Sequence, residues 1–303
     1  MMVALFDADF KILASHREKL KSRSGPKTGI EQLTEAISQT LADAAVKPEQ
    51  LAGIGLGCPG QVDLDKGVII EAPNLGWRDV PLKQLLEKIF NCPVVITNDV
   101  DAGTYGEYIF GAGKGGRCVL GVFPGTGIGG ACVYDGHLIR GKSGSCLEIG
   151  HIQVQSDGPL CGCGRRGCIE AIASRLAISA QIAMAAFRGS APHLLEEAGL
   201  DLREIRSKTI VRSIEAGDAV VEKIVRDAAR KLGNAIASVV NLLAPDIVVL
   251  GGGLVEALPK LYQKEVGDAI KSEAMKAFTA ELRIEVAKLG DNAGVLGAAA
   301  LIV

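Results

Sequence analysis

The apolar positions near the start of the chain change period once, and the change marks two kinds of element. In "VALFDADFKILASHREKL" apolar residues flank a polar pair of aspartates, which predicts two strands joined by a tight turn at residues 7–10. Ile30, Leu33, Ile37 and Leu41 then recur at helical spacing and predict an amphipathic helix. "LAGIGLGCPGQVD" is a buried strand opening into a glycine turn. "CPVVITNDVDAGTYGEY" is the next strand, polar at its end, with a helix beginning near Ala102. Such alternation predicts an α/β sheet whose functional groups stand at strand ends.

"RCVLGVFPGTGIGGACVYDGHLIRG" breaks the alternation. Two apolar runs flank a glycine loop, and the second meets an Asp135-Gly136 turn before a third run, a meander opening a second α/β unit. Further on, helices are expected over residues 169–188 and 218–243, separated by a polar stretch, with Pro245 ending the second. "DIVVLGGGL" is one more buried strand delivering glycines, and "NAGVLGAAALIV" is a small-residue helix packed closely on a neighbour. Two α/β units imply two lobes with a cleft between them, bounded at residues 1–115 plus 290–303 and at 116–289.

Composition narrows the function classes. With 303 residues, 48% hydrophobic and 22% charged, the chain has ample apolar surface for two cores. A formal net charge of -2 offers no basic stripe for nucleic acid and no polybasic membrane signal. Aromatics at 4% disfavour a base-stacking platform. No apolar run is long enough for a bilayer and no signal sequence opens the chain, so no membrane association and a cytoplasmic location are expected. Of 8 cysteines, Cys58, Cys92, Cys118, Cys132 and Cys146 lie apart among apolar neighbours and read as small buried hydrophobes.

The other three stand in "HIQVQSDGPLCGCGRRGCIE", with His151 ten residues ahead of Cys161. Cys161, Cys163, Cys168 and His151 supply the four N or S ligands of a structural zinc site, though C-x-C-x4-C is not a standard finger spacing and three free thiols fit it too. Arg165 and Arg166 would offset the charge of three thiolates. In "ITNDVD", Asp99 ends a buried strand, where a carboxylate either takes a proton from a hydroxyl or caps a helix. In "PGTGIGG", Gly125, Gly127 and Gly130 match G-x-G-x-x-G, but a strand follows instead of the helix a dinucleotide fold requires. A hairpin tip carrying Thr126 can still wrap phosphates through backbone N–H groups, or be a plain turn. "LGGGL" allows close backbone approach to a flat ligand.

The order of these motifs resembles the ROK family of sugar kinases and related repressors, within the actin/hexokinase-like superfamily. The resemblance runs from "GCPGQVD" to the final helix and is most specific in "EIGH" followed by "CGCGRRGCIEAIAS". It implies a two-lobed actin-like ATPase (ribonuclease H-like) fold, a hexose or amino-sugar substrate, Mg-ATP as donor, structural zinc and a homodimer formed through helices of the second lobe. By position, Asp99 matches the general base on a sugar hydroxyl. Gly60, Asn74, Asn98, Glu148, His151 and Glu170 match residues that line or hold the sugar. Cys161, Cys163, Cys168 and His151 match the zinc ligands, which would fix the loop so that His151 and Glu170 present their polar atoms to hydroxyls. Thr126 and Gly127 match the second phosphate loop, and Gly251 and Gly252 the adenosine loop.

The sequence also departs from the family. Nothing matches the first phosphate loop, D-x-G-G-T-K, and "MMVALFDADFKIL" aligns with what usually follows it, so the first strand of the N-terminal lobe is expected to be missing. Its loss would leave neighbouring backbone groups unpaired. Leu147 stands before Glu148 where glycine is usual, and Gln61 also departs from the pattern. A shortened but active sugar kinase is the leading expectation, a non-catalytic sugar-binding or regulatory protein the alternative. A DNA-binding repressor would need a helix-turn-helix that is not expected here.

Overall fold

The hairpin expected at the start closes through its own aspartate. In a computed structural model, whose described residues are 1–20, 25–142, 144 and 146–302, β1 (Met2–Phe6) and β2 (Ile12–Arg17) pair antiparallel. Asp7 Oδ1 accepts the N–H groups of Asp9 and Lys11, and the Phe10 N–H donates to the Asp7 carbonyl at 3.1 Å. Side chains at the turn replace the ladder bonds that bending removes.

The chain divides into two units. The first comprises Met1–Lys114, Leu138–Cys146 and Asp291–Val303. Its helix α1 (Pro26–Asp43) buries Leu33, Ile37 and Leu41 on one stripe, as their spacing predicts. Next come β3 (Ile54–Cys58), β4 (Gln61–Asp63), β5 (Val68–Ala72), β6 (Trp77–Val80), α2 (Leu82–Phe90), β7 (Val94–Asn98) and α3 (Asp99–Phe110). These strands form three ladders: β1 with β2, β3 parallel to β7, and the antiparallel set β4-β5-β6. One cluster unites Leu33, Ile37, Ile69, Trp77, Leu86, Phe90 and Ile96. Trp77, the sole tryptophan of the chain, is 3% exposed and leans so close to Gly29 that a Cβ there would strike its ring.

The C-terminal helix (Ala293–Ala300) belongs to this unit and packs on α3 and β3. The small residues of "NAGVLGAAALIV" have a backbone reason. A Cβ at Gly297 would collide with the Ala102 carbonyl, one at Gly106 with the Ala293 carbonyl, and one at Gly55 with the Ala298 carbonyl. Main chains therefore touch directly, and α3 is held rigidly by contacts that only glycine permits.

The second unit comprises Gly115–His137 and Leu147–Gly290. The meander is β8 (Cys118–Pro124), β9 (Ile128–Tyr134) and the short β10 (His137–Leu138). In its sheet, β11 (Ile247–Leu250) runs parallel to both β8 and β12 (Arg283–Val286), giving the order β10-β9-β8-β11-β12. All four side chains of β11 are buried, as a central parallel strand requires.

Helices here depart from the sequence reading in two places. The helix expected over residues 169–188 is two, α4 (Glu170–Ala173) and α5 (Arg175–Phe187). Ser174 leaves helical geometry at ψ 156° and its hydroxyl accepts the Ala177 N–H, so it caps α5 instead of continuing α4. The polar stretch holds α6 (Pro192–Ala198) and α7 (Ser207–Glu215). The buried Asp218 carboxylate orders this stretch by accepting the Leu194 N–H at 2.9 Å and the Ser213 hydroxyl at 2.7 Å. The long α8 (Ala219–Leu243) stops at Ala244, which is left-handed just before Pro245. After it come α9 (Gly253–Ala257), α10 (Pro259–Glu273) and α11 (Lys276–Thr279). Among the described residues no helix is long and apolar enough to cross a membrane.

Candidate functional site

In the first unit, the polar cluster forms where β3 and β7 end side by side, with Cys58 paired to Asn98. Asn98 is the N-cap of α3: its Oδ1 accepts the Val100 N–H at 2.8 Å while its Nδ2 donates to the Gly60 carbonyl at 3.1 Å. One amide thus ties the glycine turn to the helix start. Gly60 sits at φ 90°, and a Cβ there would strike the Glu71 carbonyl at the end of β5. Asn74 lies three residues past Glu71, exposed on the turn after β5, with no hydrogen bond to Gly60 or Asn98 among the described residues.

With Asn98 serving as cap, Asp99 becomes the first helical residue. Its Oδ1 accepts the Val100 N–H at 3.0 Å, and the side chain keeps access to solvent. Surrounding protein nevertheless raises its pKa, desolvation outweighing the stabilising N–H groups of Val100 and of Asp99 itself. It is an exposed carboxylate at a helix start with a raised pKa, disposed to take a proton. Below it the Cys58 thiol is pushed up to about 12 by burial and by the Asp99 charge, which leaves it an inert neighbour.

The second unit holds the cysteine loop. The ligand atoms of His151, Cys161, Cys163 and Cys168 all lie within 4.8 Å of one another. Cys163 Sγ and Cys168 Sγ are 3.7 Å apart, and Cys161 Sγ is 3.6 Å from His151 Nδ1. Zinc–sulfur bonds of about 2.3 Å give a tetrahedron with edges of roughly 3.8 Å, so the four donors fit that ion. Turns build the cage: Cys161 N–H donates to the Arg165 carbonyl at 2.7 Å, and Gly164 N–H to the Cys161 carbonyl at 2.9 Å. Gly167, at φ 74°, allows the chain to pass directly over the Gln155 carbonyl. Desolvation raises the Cys161 and Cys168 thiols, Cys168 to about 12, whereas the Arg165 N–H lowers Cys163.

The "EIGH" turn is seated on β9 by absent side chains. A Cβ at Gly150 would strike the Ile128 carbonyl, and one at Gly130 would lie 2.9 Å from the Leu147 carbonyl. Leu147 takes φ 58°, the left-handed conformation that suits glycine, and its carbonyl accepts the Ile149 N–H at 2.6 Å. The turn sets Glu148 and His151 together through the His151 N–H bond to the Glu148 carbonyl.

Two glycine loops leave the carboxyl ends of the neighbouring parallel strands β8 and β11, the edge where open α/β sheets bind ligands. Gly252, at φ 97°, lies against the Pro124 carbonyl, and Gly251 against the Phe123 ring. The N–H groups of Thr126 and Gly127 make no hydrogen bond among the described residues. Glu170 connects this loop to the cysteine loop. Its Oε2 accepts the Ile128 N–H at 2.9 Å in space that a side chain at residue 127 would fill, and its Oε1 stands 3.8 Å from Cys161 Sγ. Arg175 holds the opposite side: its N–H donates to the Gly125 carbonyl at 2.9 Å, and Nη2 donates to Thr126 Oγ1 at 3.3 Å. Sequence reasoning missed Arg175, although Ser174 before it is a strong capping residue.

The structure therefore gathers Gly60, Asn98 and Asp99 in one unit. In the other it gathers the four sulfur and nitrogen donors, Glu148, Glu170, Thr126, Gly127, Gly251 and Gly252.

A profile of the ROK family matches residues 1–303. A glucokinase of Halalkalibacterium halodurans is 35% identical over 274 residues, covering 89% of this chain and 82% of that protein. A xylose repressor of Caldicellulosiruptor bescii is 31% identical over 273 residues, covering 89% and 67% respectively. The crystal structure of a ROK family glucokinase from Streptomyces griseus, in complex with glucose and AMPPNP, is similar at a TM-score of 0.83 with 31% identity, covering 98% of this chain and 94% of that one.

Proposed function

This chain belongs to the ROK family, and we propose that it is an ATP-dependent kinase of a hexose or N-acetylhexosamine. The observation that carries this is Asp99: a solvent-reaching carboxylate with a raised pKa, fixed at the start of α3 beside the Asn98–Gly60 bond. Asp99 takes the proton of a sugar hydroxyl, the primary 6-OH, as that oxygen attacks the γ-phosphorus of ATP. The bond from γ-phosphorus to its bridging oxygen breaks, and ADP leaves with the electron pair. Phosphoryl transfer of this kind rests on position and charge stabilisation more than on covalent chemistry.

Gly60, Asn74, Asn98, Glu148, His151 and Glu170 hold sugar hydroxyls. Thr126 and Gly127 receive the phosphates of magnesium-bound ATP on their unpaired N–H groups, and Gly251 and Gly252 receive the adenosine. Zinc would be held by Cys161, Cys163, Cys168 and His151 Nδ1 as a structural cross-link, leaving His151 Nε2 for a hydroxyl. The protein acts in the cytoplasm as a homodimer, a state that light scattering measures directly.

The test is ADP release across glucose, mannose, fructose, allose and the N-acetylated amino sugars. Turnover with at least one is expected, and Asp99→Asn abolishes it while sparing sugar affinity. No ADP release with any of them removes the catalytic assignment.

A non-catalytic, sugar-binding regulator is the second reading, favoured by the xylose repressor that matches as much of this chain as the glucokinase does. It predicts calorimetric sugar binding without ADP release, and tight ATP binding counts against it.

A further inference from the structure

We propose that Arg175 is a phosphate-binding residue of the glycine loop, contacting the terminal phosphates of a polyphosphate-bearing ligand beside Thr126. Its placement is hard to explain by stability. Arg175 is the first residue of α5, a helix of 13 residues, where the macrodipole already concentrates positive charge and a cation is unfavourable. No carboxylate offsets it, for Arg175 makes no ion pair among the described residues. Nor does it cap the helix; the Ser174 hydroxyl does that.

What its side chain does reach is the tip of the loop. Nη2 lies 3.3 Å from Thr126 Oγ1, and its own N–H holds the Gly125 carbonyl at 2.9 Å. Thr126 is exposed, and the adjoining N–H groups of Thr126 and Gly127 are unpaired. The Glu170 carboxylate beside this loop already accepts the Ile128 N–H. A hydroxyl, two unpaired N–H donors, a helix start and a guanidinium without a counter-charge all favour an anion with several oxygens. A planar fork of N–H donors matches phosphate oxygens better than any other side chain.

This assignment rests on the nucleotide site proposed above, but two assays separate them. Calorimetry with inorganic tripolyphosphate, at low and high salt, compares the unaltered protein with Arg175→Gln and Arg175→Lys. The unaltered protein binds it, Arg175→Gln binds roughly tenfold more weakly with a shallower salt dependence, and Arg175→Lys stays within about threefold. Steady-state kinetics then show a raised KM for ATP in Arg175→Gln with the KM for sugar unchanged. A residue that merely ties α5 to the loop would alter melting temperature and leave the salt dependence as it was. Equal tripolyphosphate affinity in Arg175→Gln and the unaltered protein, or no binding by the unaltered protein, overturns the assignment whether or not sugar is phosphorylated. Binding that depends on Arg175 in a protein without sugar turnover upholds the anion contact and sinks only the kinase reading.

Discussion

The start of α3 in the first unit and the cysteine loop in the second both fix polar side chains, by opposite means. The α3 helix is held by main chain against main chain of the last helix at Gly106 and Gly297, and the last helix against β3 at Gly55, where no side chain intervenes. The cysteine loop has almost no apolar packing of its own. Residues 162–166 are all exposed, and turns plus four convergent donor atoms define its shape. A glycine seam tolerates no added atom but needs no ligand; a donor cage tolerates surface change but depends on its ion. Position is thus secured by packing in one unit, and in the other it would be secured by coordination once the proposed zinc is bound.

The sharpest way to break the comparison is to add an isopropyl group to the seam. Gly297→Val would drive side-chain atoms into the Ala102 carbonyl and is expected to cost about 3 kcal/mol or more, read as lost secondary structure on heating. Metal removal comes next. Purified protein is expected to carry one zinc per chain by elemental analysis, and chelation or Cys168→Ser to cost about 2 kcal/mol in thermal melts. A chain that never contains metal and melts unchanged with chelator would refute the cage.

Glu170→Gln is smaller. It keeps an acceptor for the Ile128 N–H but loses the charge, with about 1 kcal/mol of stability expected to go and phosphate-loop affinity altered. Least of all in stability is Asp99→Asn. The folded-state pKa of Asp99 lies above the usual 3.8, so the ionised side chain opposes folding. Its contribution to stability is present below the unfolded value and is lost as pH rises through the folded one. The variant should therefore melt at or slightly above the parent temperature at neutral pH, an advantage that disappears in acid. A marked fall at neutral pH would show Asp99 to be a structural cap.

Legibility in the sequence followed the same division. The four donors lie within 18 residues, so the sequence marked them as candidate ligands, but only the fold shows that their donor atoms converge and do not stand as separate thiols. The seam of α3 was half visible: small residues in the last helix announced close packing, but nothing local named Gly106 and Gly55 as partners. For Asp99 the local residues alone favoured a helix cap over a general base. The structure assigns the cap to Asn98 and leaves Asp99 the first helical position. Helices α6 and α7 were hidden because their order depends on Asp218, a buried carboxylate reached only through the fold. Arg175 was hidden inside a continuous apolar period that Ser174 interrupts.

Trp77 gives these experiments an instrument that the chain already carries. As the only indole, it emits from the interior of a single unit, wedged against Gly29, while Tyr134 and Tyr262 are the other unit's intrinsic fluorophores. Excitation at the red edge of the absorption band therefore listens to one half of the molecule. Calorimetry hears both, so any gap between the two melting curves would tell whether the halves come apart together.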